Sequence, residues 1–190
     1  KCMELVELAA HMRSTLMGGV VGVDLAGDES SFPNGPYVDC LLRAKMSFGL
    51  NTTVHCGEFP DTSASEVGTA VRDMFADRIG HGYQARKDPA VVSLLRERHV
   101  HVEACPASAT HHGLLPAIGQ FKEQGLNFGL NTDDPASFFN NVSLPSVEDI
   151  VKTKLGFTYA DIMQAYADAR QAAFGPANSL LPAIGKIFVV

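Results

Sequence analysis

Five times along this chain a short apolar run rich in β-branched residues is followed by a longer amphipathic stretch. That alternation constrains the fold more than any other feature. The runs fall at 20–25 (Val-Val-Gly-Val-Asp-Leu), 52–56 (Thr-Thr-Val-His-Cys), 78–81 (Arg-Ile-Gly-His), 100–104 (Val-His-Val-Glu-Ala) and 127–131 (Asn-Phe-Gly-Leu-Asn). They read as buried strands, with helices expected near 37–48, 64–76, 88–98, 113–124, 146–153 and 159–173. Repeated βα units imply a parallel sheet with helical cover. At 190 residues the chain has room for one such domain, expected to span 1–190.

The polar residues then choose between architectures. Asp24 and Asp28, His55 and Glu58, His81, Glu103, and Asp133 with Asp134 all stand at or just beyond the C-terminal end of a run. A doubly wound sheet concentrates its chemistry at one switch point, whereas a (β/α)₈ barrel gathers it from the ends of many strands. Five contributing strands favour the barrel, but a barrel closes with eight. Ahead of them, Cys2, Leu5, Val6, Ala9 and Met12 trace one apolar face of a helix with no capping residue and no initiator methionine. The expectation is an α/β fold: a partial TIM barrel, its last five βα units with C-terminal helices, cut from something longer.

Composition removes several alternatives. With 15 basic and 21 acidic side chains the formal charge is −6, which suits no nucleic-acid backbone. No apolar run approaches the length of a membrane span, and the first residues lack a signal-peptide core. The cysteines at 2, 40, 56 and 105 form no C-x-x-C. They read as small core residues in a reducing, cytoplasmic setting, not as a disulfide framework or an all-cysteine zinc site.

Four clusters carry chemistry. In His55-Cys56-Gly57-Glu58 an imidazole and a carboxylate share one strand end, a pairing suited to a metal ligand beside a proton-transfer group. Adjacent Asp133 and Asp134 are costly to hold together without a cation or a hydrogen-bonding ligand, although Asp-Pro also occurs in plain solvated turns. His81 lies between Gly80 and Gly82, which leave little side chain to bury it. Asp24, Asp28 and Glu29 fall within six residues, a density that an exposed loop would also explain. Together they suggest a mononuclear zinc hydrolase with His55 and Asp133 as ligands. Glu58 would move protons, and His81 and Asp134 would lie near water and substrate. Only two ligands can be named. His99 and His101 make an H-x-H, but His99 sits at the wrong end of its strand. His111 and His112 fall in a loop that could touch substrate, and His11 reads as a surface residue.

The stretches DLAGDE (24–29), TVHCGE (53–58), RIGHGY (78–83), HVEACPAS (101–108) and LNTDDPA (130–136), in this order, resemble the adenosine/AMP deaminase family of metal-dependent hydrolases. The resemblance implies strands four to eight of that family's TIM barrel and zinc-dependent hydrolysis of adenosine or deoxyadenosine to inosine and ammonia, in purine salvage. It implies zinc binding by His55 and Asp133, with Asp133 also orienting water. Glu58 would protonate the purine ring nitrogen and pass a proton to the leaving amine, and His81 would help generate and stabilise the hydroxide. Asp134 would accept a hydrogen bond involving the purine imidazole nitrogen, and the Gly27 backbone N–H would meet the purine's other edge. The implied partner is a small purine nucleoside, without nucleic acid or membrane; an oligomer or a missing N-terminal segment is left open.

The sequence departs from that pattern in three places. The family's H-x-H zinc pair from the first strand has no counterpart here. Cys56 replaces a smaller residue, and the C-terminal helix is shortened before an apolar end at 183–190. Other readings are deamination of adenine, AMP or an N6-substituted nucleotide, or a truncated non-catalytic paralogue that binds nucleosides or a partner. Arg72, Arg78, Arg86 and Lys87 are too scattered to indicate a phosphate. A cytidine-deaminase site is excluded because His101-Val102-Glu103 lacks its P-C-x-x-C companion.

Overall fold

The computed structural model describes residues 1–15, 19–135 and 142–175. Among these, five strands form one parallel sheet in the order β1 (Gly22–Leu25), β2 (Asn51–Cys56), β3 (Arg78–His81), β4 (His101–Ala104) and β5 (Phe128–Leu130). Each strand pairs with the next in sequence, without the order reversal that defines a doubly wound sheet. This is the arc of a (β/α)₈ barrel.

Among the described residues, eight α-helices connect and flank the strands: α1 (Cys2–Thr15), α2 (Val38–Met46), α3 (Ala64–Arg72), α4 (Pro89–Glu97), α5 (Pro106–His111), α6 (Leu115–Glu123), α7 (Leu144–Leu155) and α8 (Tyr159–Ala172). Local sequence sets several starts. Ser63 accepts from the Ser65 N–H to cap α3, Asp88 caps α4 ahead of Pro89, and Thr158 with Asp161 forms a capping box on α8. No described helix is long and apolar enough to cross a membrane.

Register separates the two faces of the sheet. Val54, Ile79, Val102 and Phe128 are aligned across neighbouring strands and buried, and α2 and α3 pack on β2. The opposite face aligns Thr53 with Arg78 and His101, and His55 with Gly80, Glu103 and Gly129. In a closed barrel this face is the interior. Here the C-terminal part of α8 lies on it. A Cβ placed on Gly129 would meet the Ala169 Cβ at 2.8 Å. The Arg78 guanidinium donates to the Ala172 carbonyl at 3.3 Å and stacks 3.8 Å from the Phe174 ring centre.

Three expectations change. Cys2 and Cys40 form a disulfide, contrary to the reading of all four cysteines as reduced core residues. The reason is packing: α1 and α2 lie side by side and bring these Cα atoms to 6.2 Å across 38 residues of sequence, where no motif marks the pair. Cys56 and Cys105 are free and buried, as expected. The segment after Cys105 is helix α5 rather than loop, and β1 begins at Gly22 rather than at 20. The apolar end at 183–190 and Ala136 lie outside the described residues.

Candidate active site

The C-terminal ends of the strands bring the four clusters to one rim. His55, at the end of β2, places Nδ1 3.0 Å from Asp24 Oδ1 of β1. Burial works against its charged form, but the bonded Asp24 carboxylate, with Glu103 and Glu58 nearby, leaves its pKa raised overall. With Nδ1 engaged by a carboxylate, Nε2 remains for a metal, the usual outer-shell arrangement of a ligating histidine.

His81 ends β3 with a φ of +62°, which turns its buried ring away from the strand alternation and toward this rim. The ring packs edge-on to His55, with centres 5.1 Å apart. Tyr83 fixes its tautomer. The Tyr83 hydroxyl donates its only proton to the Cys105 carbonyl at 3.0 Å and accepts from the Cys105 N–H at 3.1 Å. Its remaining lone pair faces His81 Nδ1 at 3.4 Å, so Nδ1 carries the hydrogen and Nε2 is a lone pair. Burial, then the neighbouring His55 and His112, push the His81 pKa down to about 3. It is a neutral imidazole near pH 7, not an ion-pair partner.

Glu58 lies between two such rings, with Oε2 3.6 Å from His81 Nε2 and Oε1 3.7 Å from His112 Nε2. Those gaps exceed a direct hydrogen bond and leave the carboxyl without a close partner at either ring. Burial first, then the charge of Asp133, lifts its pKa to about 7. A carboxyl that exchanges its proton near neutrality has the property required of a general acid and base.

Asp133 follows β5 with a φ of +60°, and its Oδ2 comes 4.0 Å from His81 Nε2. Burial and the adjacent Asp134 raise its pKa. Asp134 itself is exposed. Gly27 has a φ of +151°, open only to glycine, and lines a pocket of about 140 Å³ with Asp28, Phe32 and Tyr37. Every site residue expected from sequence therefore stands at this one end of the sheet.

The ligand atoms of His81, Cys105 and Asp133 all lie within 4.8 Å of one another, and Asp133 also feels the charge of His55. Burial and the surrounding carboxylates raise the Cys105 thiol pKa, and its Sγ donates to the Glu103 carbonyl. A protonated thiol is a poor ligand. His55 with its Asp24 partner and the Asp133 carboxylate fit a zinc ion better. Sequence reasoning missed Tyr83, whose signal was only its place in RIGHGY, and reads His112 as a loop residue able to touch substrate.

The adenosine deaminase family pattern matches residues 1–187. The adenosine deaminase of Serratia proteamaculans is 32% identical over 176 residues, covering 90% of this chain and 50% of that protein. Arabidopsis ADAL, solved in complex with IMP, is 26% identical with a TM-score of 0.75, over 92% of this chain and 49% of that one. An amidohydrolase from Burkholderia ambifaria, solved with bound Zn, superposes with a TM-score of 0.77 over 93% of this chain and 50% of that one, at 24% identity. The chain thus spans about half the length of the curated relatives it matches. Sequence pattern, relatives and fold agree: the chain belongs to the adenosine deaminase family.

Proposed function

We propose that this protein serves the zinc-dependent hydrolytic deamination of adenosine, or deoxyadenosine, to inosine and ammonia. The observation that carries the reading is Glu58, a half-buried carboxyl with its pKa near 7, set between two imidazoles beside Asp133. His55 and Asp133 would hold the zinc, which when bound supplies Lewis-acid activation of water at neutral pH.

The chain's own residues would do the rest. Glu58, protonated at the start, gives its proton to the purine ring nitrogen. It then takes one from the attacking water and delivers it to the amine; the C–N bond breaks to release ammonia, and the new hydroxyl returns its proton to Glu58 as the ring carbonyl forms. His81 presents the Nε2 lone pair that Tyr83 leaves free, and so accepts a hydrogen bond from that water. Asp134 faces the purine imidazole side, and the Gly27 N–H meets the opposite edge.

A nucleotide substrate is the second reading, favoured by the Arabidopsis relative solved with IMP. Against it, Arg78 is engaged with Glu103 on the inner face and Lys87 with the Pro60 carbonyl. The proposed setting is purine salvage, and the cytoplasmic placement expected from four reduced cysteines is withdrawn. The Cys2–Cys40 bond weighs against a reducing compartment.

The test is elemental zinc analysis followed by ultraviolet assay of adenosine, AMP, N6-methyl-AMP and adenine in parallel. One zinc per chain with adenosine the best substrate supports the reading. A preference for AMP moves it to a nucleotide. Zinc binding without turnover of any of the four points to a nucleoside-binding protein.

A further inference from the structure

Glu29 is a buried carboxylate, 7% exposed, in the loop after β1. Its oxygens face backbone. Oε2 accepts from the Gly57 N–H at 2.7 Å, and Oε1 accepts from the Glu58 N–H at 2.6 Å and from the Phe59 N–H at 3.4 Å. The Thr62 hydroxyl lies 2.9 Å from the same Oε1 and 2.9 Å from the Phe59 carbonyl, which closes the turn. Three successive N–H groups converge because Gly57 has a φ of +65°, and a Cβ there would meet Val67 Cγ2 at 2.9 Å. Consecutive amides of this kind form a cradle for an anion, and charge-assisted bonds to them are among the stronger ones available.

Among the described residues the Glu58 side chain makes no hydrogen bond; the imidazoles facing it stand at 3.6 and 3.7 Å. Its placement therefore depends on its backbone, and that backbone is what Glu29 holds. The same loop grips the end of β2 a second time, through the Asn34 side-chain amide donating to the His55 carbonyl at 3.1 Å. We infer that Glu29 is a positioning residue that fixes the Glu58 carboxyl between His81 and His112 by binding the N–H groups of Gly57, Glu58 and Phe59. The inference rests on the proposed proton-transfer role of Glu58. It gives Glu29 a task separate from that of Gly27, although both belong to one short stretch.

The experiment compares the parent chain with E29A and E29Q by amide hydrogen exchange and by steady-state kinetics with adenosine. In E29A, exchange at Gly57, Glu58 and Phe59 is expected to accelerate about tenfold or more, with Val54, Ile79 and Val102 unchanged. The value of kcat is expected to fall about 10–100-fold, with KM within about threefold of the parent, because misplacing a catalytic group harms the chemical step more than binding. E29Q keeps the shape and one acceptor oxygen, and is expected to recover part of both effects. Unchanged exchange at the three amides overturns the inference. So does exchange that rises equally across the sheet, which would make Glu29 a support of the fold alone. An E58Q control separates the two claims. If E58Q keeps full activity, the role of Glu58 is wrong and the exchange measurement alone decides for Glu29.

Discussion

The inner face of the sheet holds charged side chains at two levels, and the levels are treated differently. At the lower level Arg78 Nε lies 2.7 Å from Glu103 Oε1 and 3.2 Å from Thr53 Oγ1, while its guanidinium also reaches the Ala172 carbonyl. Every charge there has a close partner. At the rim Glu58 stands 3.6 and 3.7 Å from its neighbours, and Asp133 stands 4.0 Å from His81. Burial is similar at the two levels: the Glu103 side chain is 19% exposed and that of Glu58 18%. What differs is the spacing of Glu58 and Asp133 from their neighbours; His55, held 3.0 Å from Asp24, is the rim's paired exception. Paired buried charges build scaffold, whereas buried charges held just short of a partner keep interaction energy in reserve for a ligand.

The largest effect expected from this contrast is kinetic. E58Q should lower kcat for adenosine by about 10²–10⁴-fold and, at about pH 4 where Glu58 is protonated in both folded and unfolded chains, barely move the urea midpoint, because the carboxyl it replaces makes no direct bond. A large stability loss in E58Q would erase the distinction between the levels. R78M should do the reverse. It strands Glu103, and the expected cost is about 3–5 kcal/mol in urea unfolding. Replacing both partners, as R78M/E103L, should restore most of that stability; a double variant as unstable as the single one would show that pairing is not what the lower level depends on.

Proton linkage sharpens the comparison further. The Glu58 pKa is raised from 4.5 to about 7, so between those values the folded, metal-free chain holds a proton that the unfolded chain has lost. Its contribution to stability therefore falls as pH rises through that window. His81, lowered from 6.5 to about 3, has the opposite slope between those limits, because there the unfolded chain binds the proton. The two offset each other in part, so the curve of the parent chain alone is uninformative. The difference between E58Q and parent midpoints isolates Glu58: near zero below about pH 4, widening toward about pH 7. A difference independent of pH would mean that Glu58 titrates as an ordinary surface carboxylate.

The smallest effect belongs to a surface group. The Asp161 pKa is pulled down to about 2, first by Lys122 and then by Thr158. Its contribution is present above 3.8 and is lost as pH falls through about 2. At neutral pH D161N should lower Tm by about 2 °C or less and leave both levels of the inner face unaffected.

Much of this was legible in the sequence, for reasons that also mark where legibility stopped. Strands announce themselves by β-branched runs, and in a barrel their C-terminal ends carry function. Asp24, His55, Glu58, His81 and Asp133 could therefore be placed on one rim before any coordinates. Helix α5 escaped because Pro-Ala-Ser-Ala-Thr-His is too short to show a period. Glu29 escaped because a third carboxylate in six residues looks like solvent-exposed loop, and only the fold reveals the N–H groups it meets. Arg78 was weighed as a stray cation, since its partners lie 25 residues back and 25 residues forward in sequence. Long-range pairing leaves no local trace.

The disulfide has a topological consequence. Cys2 and Cys40 make the intervening segment a covalent ring that includes β1 and the loop bearing Gly27 and Glu29. Cleaving one backbone bond inside that ring leaves both pieces attached through the sulfurs. The loop that lines the pocket and clamps Glu58 is thus anchored from both sides, and a protease that nicks it once opens a circle without releasing a fragment.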